Sequence, residues 1–365
     1  MRPYAIGDPV LEQKITELVD AAGVENGNTD LIAEIVTTAL KLHRDAADRG
    51  DLKLLNTALK EMRYSMLVFS RHREIPKVTI FGSARTQSDH PNYQLAVEFA
   101  RIMAEDRKWG VITGAGPGIM EAGNQGAGKE ASFGVNIRLP FESDANPHID
   151  DDRLINFKYF FTRKLGFVKE SHAFALFPGG FGTMDETFEL LTLIQTGKSD
   201  LHPIVLLEPE GFGYWEGWQH FVDTSLIGPG MISPEDVHLY TITSDPQAAA
   251  DEICRFYANY QSQRYVKGIL VLRLNKGPDE AQLQALNEEF SDILVDGEIT
   301  TIPPTDPEIE DGDSVEADRV ALHFDRRSFG RLRQLVDALN DLIDAAPREI
   351  KLPPPYRDEL LERPW

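Results

Sequence analysis

The stretch Ser171–Glu189, SHAFALFPGGFGTMDETFE, constrains this chain more than any other. Ala173 to Phe177 is an unbroken apolar run, as expected of a strand covered on both faces. It stops at Pro178, turns through Gly179, Gly180 and Gly182, and resumes at Thr183 with helical periodicity. A strand that feeds a helix through so short a glycine turn belongs to a layered α/β fold. It also aims the unpaired N–H groups of the helix start outwards, where they suit a phosphate. Three glycines permit positive φ and close approach of an oxygen-rich ligand. Glu186 then falls in the first helical turn, beside that ligand. A carboxylate repels a phosphate, so its place there is read as chemistry.

The rest of the composition narrows the class. The chain has 365 residues, 42% hydrophobic and 26% charged, which fits a globular protein of two or three domains. No run approaches the ~20 apolar residues of a membrane span. The N-terminus, MRPYAIGDPVLEQK, lacks the basic region and apolar core of a signal peptide. A single cysteine, Cys254, leaves no intrachain disulfide and no cysteine-cluster metal site. A cytoplasmic address is the expectation. The formal net charge of −22 argues against nucleic acid as a partner, since no basic face releases counterions. A small anionic substrate needs a locally positive site within that field.

Residues 9 to 72 read as wholly helical, part of an N-terminal helical region over 1–75. Leu31, Ile32, Ile35, Ala39 and Leu42 form one apolar stripe, and Leu55, Leu59, Met62, Met66 and Phe69 continue a second. Gly50 is expected to break the pattern and Asp51 to cap the next helix. Such a layer packs on the main domain or on another subunit. From Pro76 the pattern alternates. Strands are expected at Val78–Phe81, Gly110–Thr113, Phe133–Ile137, Leu154–Asn156, Ala173–Phe177, Ile204–Leu207 and His238–Thr241. Helices are expected at Tyr93–Lys108, Gly118–Ala127, Tyr159–Glu170 and Thr183–Gln195. This is a doubly wound parallel sheet, Rossmann-like, over residues 76–262. Its ligands bind beyond the carboxyl ends of the strands. The pieces GSAR (Gly82–Arg85), TGAGPGIMEA (Thr113–Ala122) and PGGFGT each follow a strand, so they converge on one edge.

Around Tyr260 the alternation ends. Gly268–Leu274 reads as a strand, Asp279–Leu294 as a helix, Glu298–Ile302 and Arg319–Phe324 as strands, and Ser328–Leu342 as a helix. This βαββα order gives a small α+β domain over 263–347. The acidic, proline-containing segment Pro303–Asp318 is expected to be an exposed loop. The tail 348–365, with PPPY, reads as coil.

Neither common nucleotide fingerprint is complete. TGAGPGI places Ile119 where the dinucleotide motif needs Gly or Ala, and no acidic residue closes the next strand, Gly134–Arg138. GNQGAGKE places Glu130 where a P-loop needs the Mg²⁺-binding hydroxyl, and it ends a helix where a P-loop starts one. What remains is a nucleotide site with neither fingerprint. Gly114, Gly116 and Gly118 open a helix toward the ligand, and Glu121 lies in its first turn. Arg163 and Lys164 sit among Phe160, Phe161, Leu165 and Phe167, and cations in such company need a partner. The anionic ligand or Glu186 supplies it.

PGGFGTMDE resembles the PGGxGTxxE signature of the LONELY GUY (LOG) family, often labelled "possible lysine decarboxylase". Arg163-Lys164 and GAGPGIMEAGNQGA are similar to that family too, and the likeness covers about Pro76 to Tyr260. The helical N-terminus and C-terminal domain resemble its longer bacterial members, near the nucleotide 5′-monophosphate nucleosidases. The resemblance implies a phosphoribohydrolase that cleaves nucleoside 5′-monophosphates, such as AMP or cytokinin riboside monophosphates, to free base and ribose 5-phosphate. It implies catalytic roles for Arg163 and Glu186. Lys164, Gly180, Phe181, Gly182, Thr183, Met184 and Asp185 would line the ribose-phosphate, with Gly82, Ser83 and Gly179 on the same edge. Thr192 and Glu142 would also contact substrate. It further implies a homo-oligomer, and neither a metal nor a cofactor. Lysine decarboxylation needs a pyridoxal Schiff base, and Lys164 is better explained as a phosphate or sugar contact. His172 stands where the family commonly has Asp, and is expected to be a surface change. A non-catalytic nucleotide sensor or carrier of the same fold is the alternative.

Overall fold

The computed structural model describes residues 4–23, 28–138, 145–312, 314–343 and 352. Its contacts divide the chain into two compact units, Met1–Arg63 and Tyr64–Trp365. The first holds α1 (Pro9–Ala21), α2 (Thr29–Arg44) and the start of α3 (Arg49–Ser70). Asp8 caps α1 by accepting from the N–H groups of Val10 and Leu11, with Pro9 in the first turn. The cap of α3 is Asp48 rather than Asp51. Asp48 accepts from the Gly50 and Asp51 N–H groups, and Asp51 accepts in return from the Asp48 N–H. Gly50 therefore lies inside the first turn. Helical periodicity is as expected, but Leu31, Ile32, Ile35, Leu55 and Leu59 are all exposed.

The second unit is built on seven parallel strands. They are β1 (Lys77–Phe81), β2 (Gly110–Thr113), β3 (Ser132–Ile137), β4 (Leu154–Phe157), β5 (Ala173–Leu176), β6 (Ile204–Leu207) and β7 (Thr241–Thr243). Between and after them run α4 (Pro91–Arg101, extended by a π-helical turn), α5 (Ile119–Ala127), α6 (Phe160–Glu170), α7 (Phe181–Gln195), α8 (Tyr214–Phe221) and α9 (Pro246–Phe256). The sheet order is β4-β3-β2-β1-β5-β6-β7. Every residue of β1, β2, β5 and β6 is buried, which explains why those strands read as apolar runs. The first six strands lie within one residue of their expected bounds. The seventh does not. Residues Pro234–Leu239 form a 3₁₀ helix capped by Ser233 and Asp236, and the strand follows it.

The chain winds outward from β1 to β4, returns to β5 on the other side of β1, and continues to β7. The gap between the carboxyl ends of β1 and β5 is therefore the switch point of the sheet, where doubly wound folds bind ligands. A second sheet, ordered β10-β11-β9-β8 and antiparallel, completes this unit. Its strands are β8 (Tyr260–Val266), β9 (Ile269–Leu274), β10 (Thr300–Thr301) and β11 (Asp318–Leu322), with helices α10 (Glu280–Phe290), α11 (Asp306–Asp311) and α12 (Phe329–Asn340). β8 is an addition to the expected order. It forms a hairpin with β9 through Lys267 and Gly268, at φ of +50° and +92°. The acidic segment is not simply an exposed loop either. It carries α11, whose Glu308 is fully buried against Arg273 and Arg319. The tail 348–365 lies outside the described residues except for Leu352. No described helix is long and apolar enough to cross a membrane.

Candidate active site

A cavity of about 780 Å³ opens at the switch point. Its walls are the loop after β1 (Gly82–Arg85), the loop after β2 (Gly114 and Gly116), α6 (Phe160 and Arg163) and the turn and start of α7 (Gly179–Glu186). The two central loops are joined, because the Ser83 N–H donates to Pro178 O at 3.2 Å. Tyr214 holds the glycine turn from α8 by donating to Gly179 O at 2.7 Å.

The turn works by close packing and open space rather than by unusual φ. None of Gly179, Gly180 and Gly182 uses the positive φ that glycine permits. A Cβ on Gly179 would overlap the Thr183 side chain, whereas one on Gly180 or Gly182 would meet nothing within 4 Å. Those two glycines keep the cavity clear. The helix also begins earlier than expected, at Phe181, with Gly180 as an N-cap that offers no side chain. Its first hydrogen bond runs from Met184 N–H to Gly180 O at 3.1 Å. The N–H groups ahead of Met184 have no acceptor within the helix and carry the positive end of its dipole.

This start moves Glu186 out of the first turn into the second, still on the cavity wall. Its carboxyl is pushed up to about 7. Burial is the largest cause; the positive charges of Lys164 and Arg163 oppose it, and Glu189 and Asp185 reinforce it. Arg163 lines the same cavity. Its Nε donates to Val135 O at 2.8 Å and its guanidinium stacks over Phe167, 5.1 Å from the ring centre. A backbone carbonyl and an aromatic face thus aim this cation, leaving Glu186 to feel its charge.

With this geometry established, the likeness to known proteins becomes informative. Residues 117–253 match the family model described as possible lysine decarboxylase. Cytokinin riboside 5′-monophosphate phosphoribohydrolase LOG1 of Arabidopsis thaliana is 40% identical over 86 residues, 24% of this chain and 38% of that protein. The Mycobacterium tuberculosis cytokinin riboside 5′-monophosphate phosphoribohydrolase is 30% identical over 145 residues, 39% of this chain and 74% of that protein. The chain belongs to this LOG family. It spans only 36–40% of the length of the first plant relatives it matches. Among solved structures, a molybdenum cofactor binding protein from Rippkaea orientalis is 19% identical with a TM-score of 0.36, covering 48% of this chain and 94% of that one.

Of the residues that the LOG resemblance and the glycine motifs nominate, the cavity brings together Gly82, Ser83, Gly114, Gly116, Arg163 and the run Gly179–Glu186. Gly118, Glu121, Lys164 and Thr192 lie outside its lining. Gly118 is structural: at φ +68° it starts α5 directly beneath the Ser83–Ala84 backbone, where a Cβ would clash. Lys164, expected as a phosphate or sugar contact, is engaged by two carboxylates in this structure. Its ammonium is 2.9 Å from both Asp185 and Glu189, and those pairs raise its proton affinity against the opposing effect of burial. Thr192 is exposed further along α7. Glu142 lies outside the described residues.

His172 is no surface change. It is 2% exposed, and its Nδ1 accepts from the Lys77 N–H at 3.2 Å. It sits where β5 begins, at the end of the sheet opposite the cavity, so Arg163 takes its support from Val135 and Phe167 instead. Phe81, Ala84, Arg85, Met120, Ile137 and Phe160 also line the cavity, beyond the nominated set. For Arg85 the sequence did carry a signal, as the last residue of GSAR on the glycine-rich edge.

Proposed function

We propose that this protein hydrolyses the N-glycosidic bond of nucleoside 5′-monophosphates, giving free base and ribose 5-phosphate, with residues 76–262 as the catalytic domain. The observation that carries this reading is Glu186. It is a partly buried carboxylate poised near neutrality, one helical turn from a glycine-lined, electropositive helix start, in the cavity that Arg163 also lines. The curated relatives named as phosphoribohydrolases support the same chemistry.

The 5′-phosphate sits at the free N–H groups of α7, which places the ribose toward Glu186. As the bond from C1′ to the base nitrogen breaks, its electron pair leaves with the base and positive charge develops on the sugar. Ionised Glu186 stabilises that charge, orients the attacking water and accepts its proton as the new C1′–O bond forms; that proton then passes, directly or through water, to the departing base nitrogen, which restores ionised Glu186. Arg163 faces the developing negative charge or orients the sugar hydroxyls and Glu186. Because the working form of Glu186 is the anion, kcat/KM rises with pH through about 7.

The test is incubation with AMP, CMP, GMP and UMP while following free base. Glu186→Gln is expected to bind ribose 5-phosphate normally and to lose base release by about 10²–10⁴-fold. Unchanged turnover in that variant overturns the assignment. Binding of monophosphates with no base release by the native protein makes it a nucleotide-binding protein instead.

A further inference from the structure

A phosphate dianion placed beside Asp185 and Glu186 needs cationic partners, and among the described residues the cavity lining contains two cations, Arg85 and Arg163. Arg163 is held by the carbonyl of Val135 and the ring of Phe167, alongside Glu186. Lys164 is spent on Asp185 and Glu189, and only 16% of its side chain is exposed. Arg85 is different. Its backbone is fixed, with the N–H donating to Ser83 Oγ at 3.1 Å and the carbonyl accepting from Gln87 Nε2 at 3.2 Å. Its guanidinium engages no hydrogen bond or ion pair among the described residues. The loop that carries it is tied to the glycine turn by the bond from Ser83 N–H to Pro178 O. Arg85 is thus an anchored residue with five free donors, on the wall adjoining the start of α7.

We propose that Arg85 binds the 5′-phosphate of the substrate, its guanidinium fork completing the phosphate pocket that the α7 N–H groups begin. This rests on the nucleotide reading above and replaces Lys164 with Arg85 as the cation that meets the phosphate. A planar fork matches two phosphate oxygens at once, which a lysine does not. Lys164 then acts at one remove. By neutralising Asp185 and Glu189 it limits the negative charge that an incoming dianion meets.

The experiment compares native protein, Arg85→Gln and Arg85→Lys by calorimetric titration with ribose 5-phosphate and with ribose, and by kinetics on AMP and adenosine. Arg85 is exposed, and unchanged melting temperatures establish that the variants are folded. Arg85→Gln is expected to weaken ribose 5-phosphate binding about 10–100-fold and to reduce the preference for AMP over adenosine by a similar factor. Arg85→Lys is expected to recover part of the loss. Native affinity for ribose 5-phosphate in Arg85→Gln, or an equal loss for ribose, overturns the proposal. If Arg85→Gln loses the phosphate ligand but native protein releases no base from any monophosphate, the hydrolase reading falls and the Arg85 assignment stands. If native protein hydrolyses AMP and Arg85→Gln binds as native, the reverse holds.

Discussion

Two carboxylates in this protein each face a pair of cations, and they end at opposite extremes of proton affinity. Glu308 in the second sheet accepts from Arg273 Nε at 2.7 Å, Arg319 Nε at 3.1 Å, and the Thr305 N–H and hydroxyl at 2.9 and 2.7 Å. Burial pushes its carboxyl up, but the bonds from Thr305 and Arg273 outweigh burial and hold it at about 2. Glu186 lies near Lys164 and Arg163, yet Lys164 pairs with Asp185 and Glu189 while Arg163 bonds the backbone. Among the described residues, charge reaches Glu186 without donated hydrogen bonds, burial dominates, and the carboxyl rises to about 7. The number of nearby cations does not set a buried carboxylate's proton affinity. Where their hydrogen bonds are directed does.

The largest expected effect that tests this contrast is on Glu308. Glu308→Ala removes the buried carboxylate that Arg273 and Arg319 share and should cost about 3–5 kcal/mol, read as a lower urea midpoint. Replacing the triad by Arg273→Met, Glu308→Leu and Arg319→Met together should restore most of that loss. The Glu308 contribution is fully present above the ordinary carboxylate range and fades as pH falls toward 2, so the native protein should lose stability there more steeply than the triple variant. A smaller effect is expected from Lys164→Met. Removing that charge should move the rising limb of the kcat/KM profile to higher pH, by up to about one unit. An unmoved limb would show that Lys164 does not tune Glu186. The smallest effect concerns the stability contribution of Glu186. Glu186 binds its proton more tightly folded than unfolded, so its ionisation disfavours the fold as pH rises from the ordinary carboxylate value through about 7. Glu186→Gln should therefore melt a few degrees higher than native at pH 8 and show little difference at pH 4.

The parallel sheet is legible in the sequence because strands covered on both faces are apolar throughout, and because glycine turns mark where they end. The seventh strand reads too early because Pro234 and the Ser233–Asp236 box start a 3₁₀ turn whose apolar residues mimic a strand. β8 escapes a periodicity reading since YQSQRYV runs four polar residues together at a sheet edge, and the Lys267–Gly268 turn is its readable sign. At the site, residues within the PGGFGTMDE run are legible because one short segment carries them all. Pairings across the chain are not. The sequence shows Lys164 beside Arg163 and near apolar residues, but not that Asp185 and Glu189 claim it. Likewise the segment around Glu308 reads as solvated, and only the arginines standing in the apolar strands ILVLRL and DRVAL hint at a buried acid nearby.

The neighbours that frame the cavity, β1 and β5, come from residues 77–81 and 173–176. During synthesis the first wall is therefore made long before the second exists, and the strands in between pair on the far side of β1. A nascent chain that has not yet emerged past Gly182 lacks the α7 wall of the cavity, however much of its sheet has formed. The cavity is consequently completed only when half of the 365 residues have been made, and any truncation ahead of that turn removes one of its walls outright.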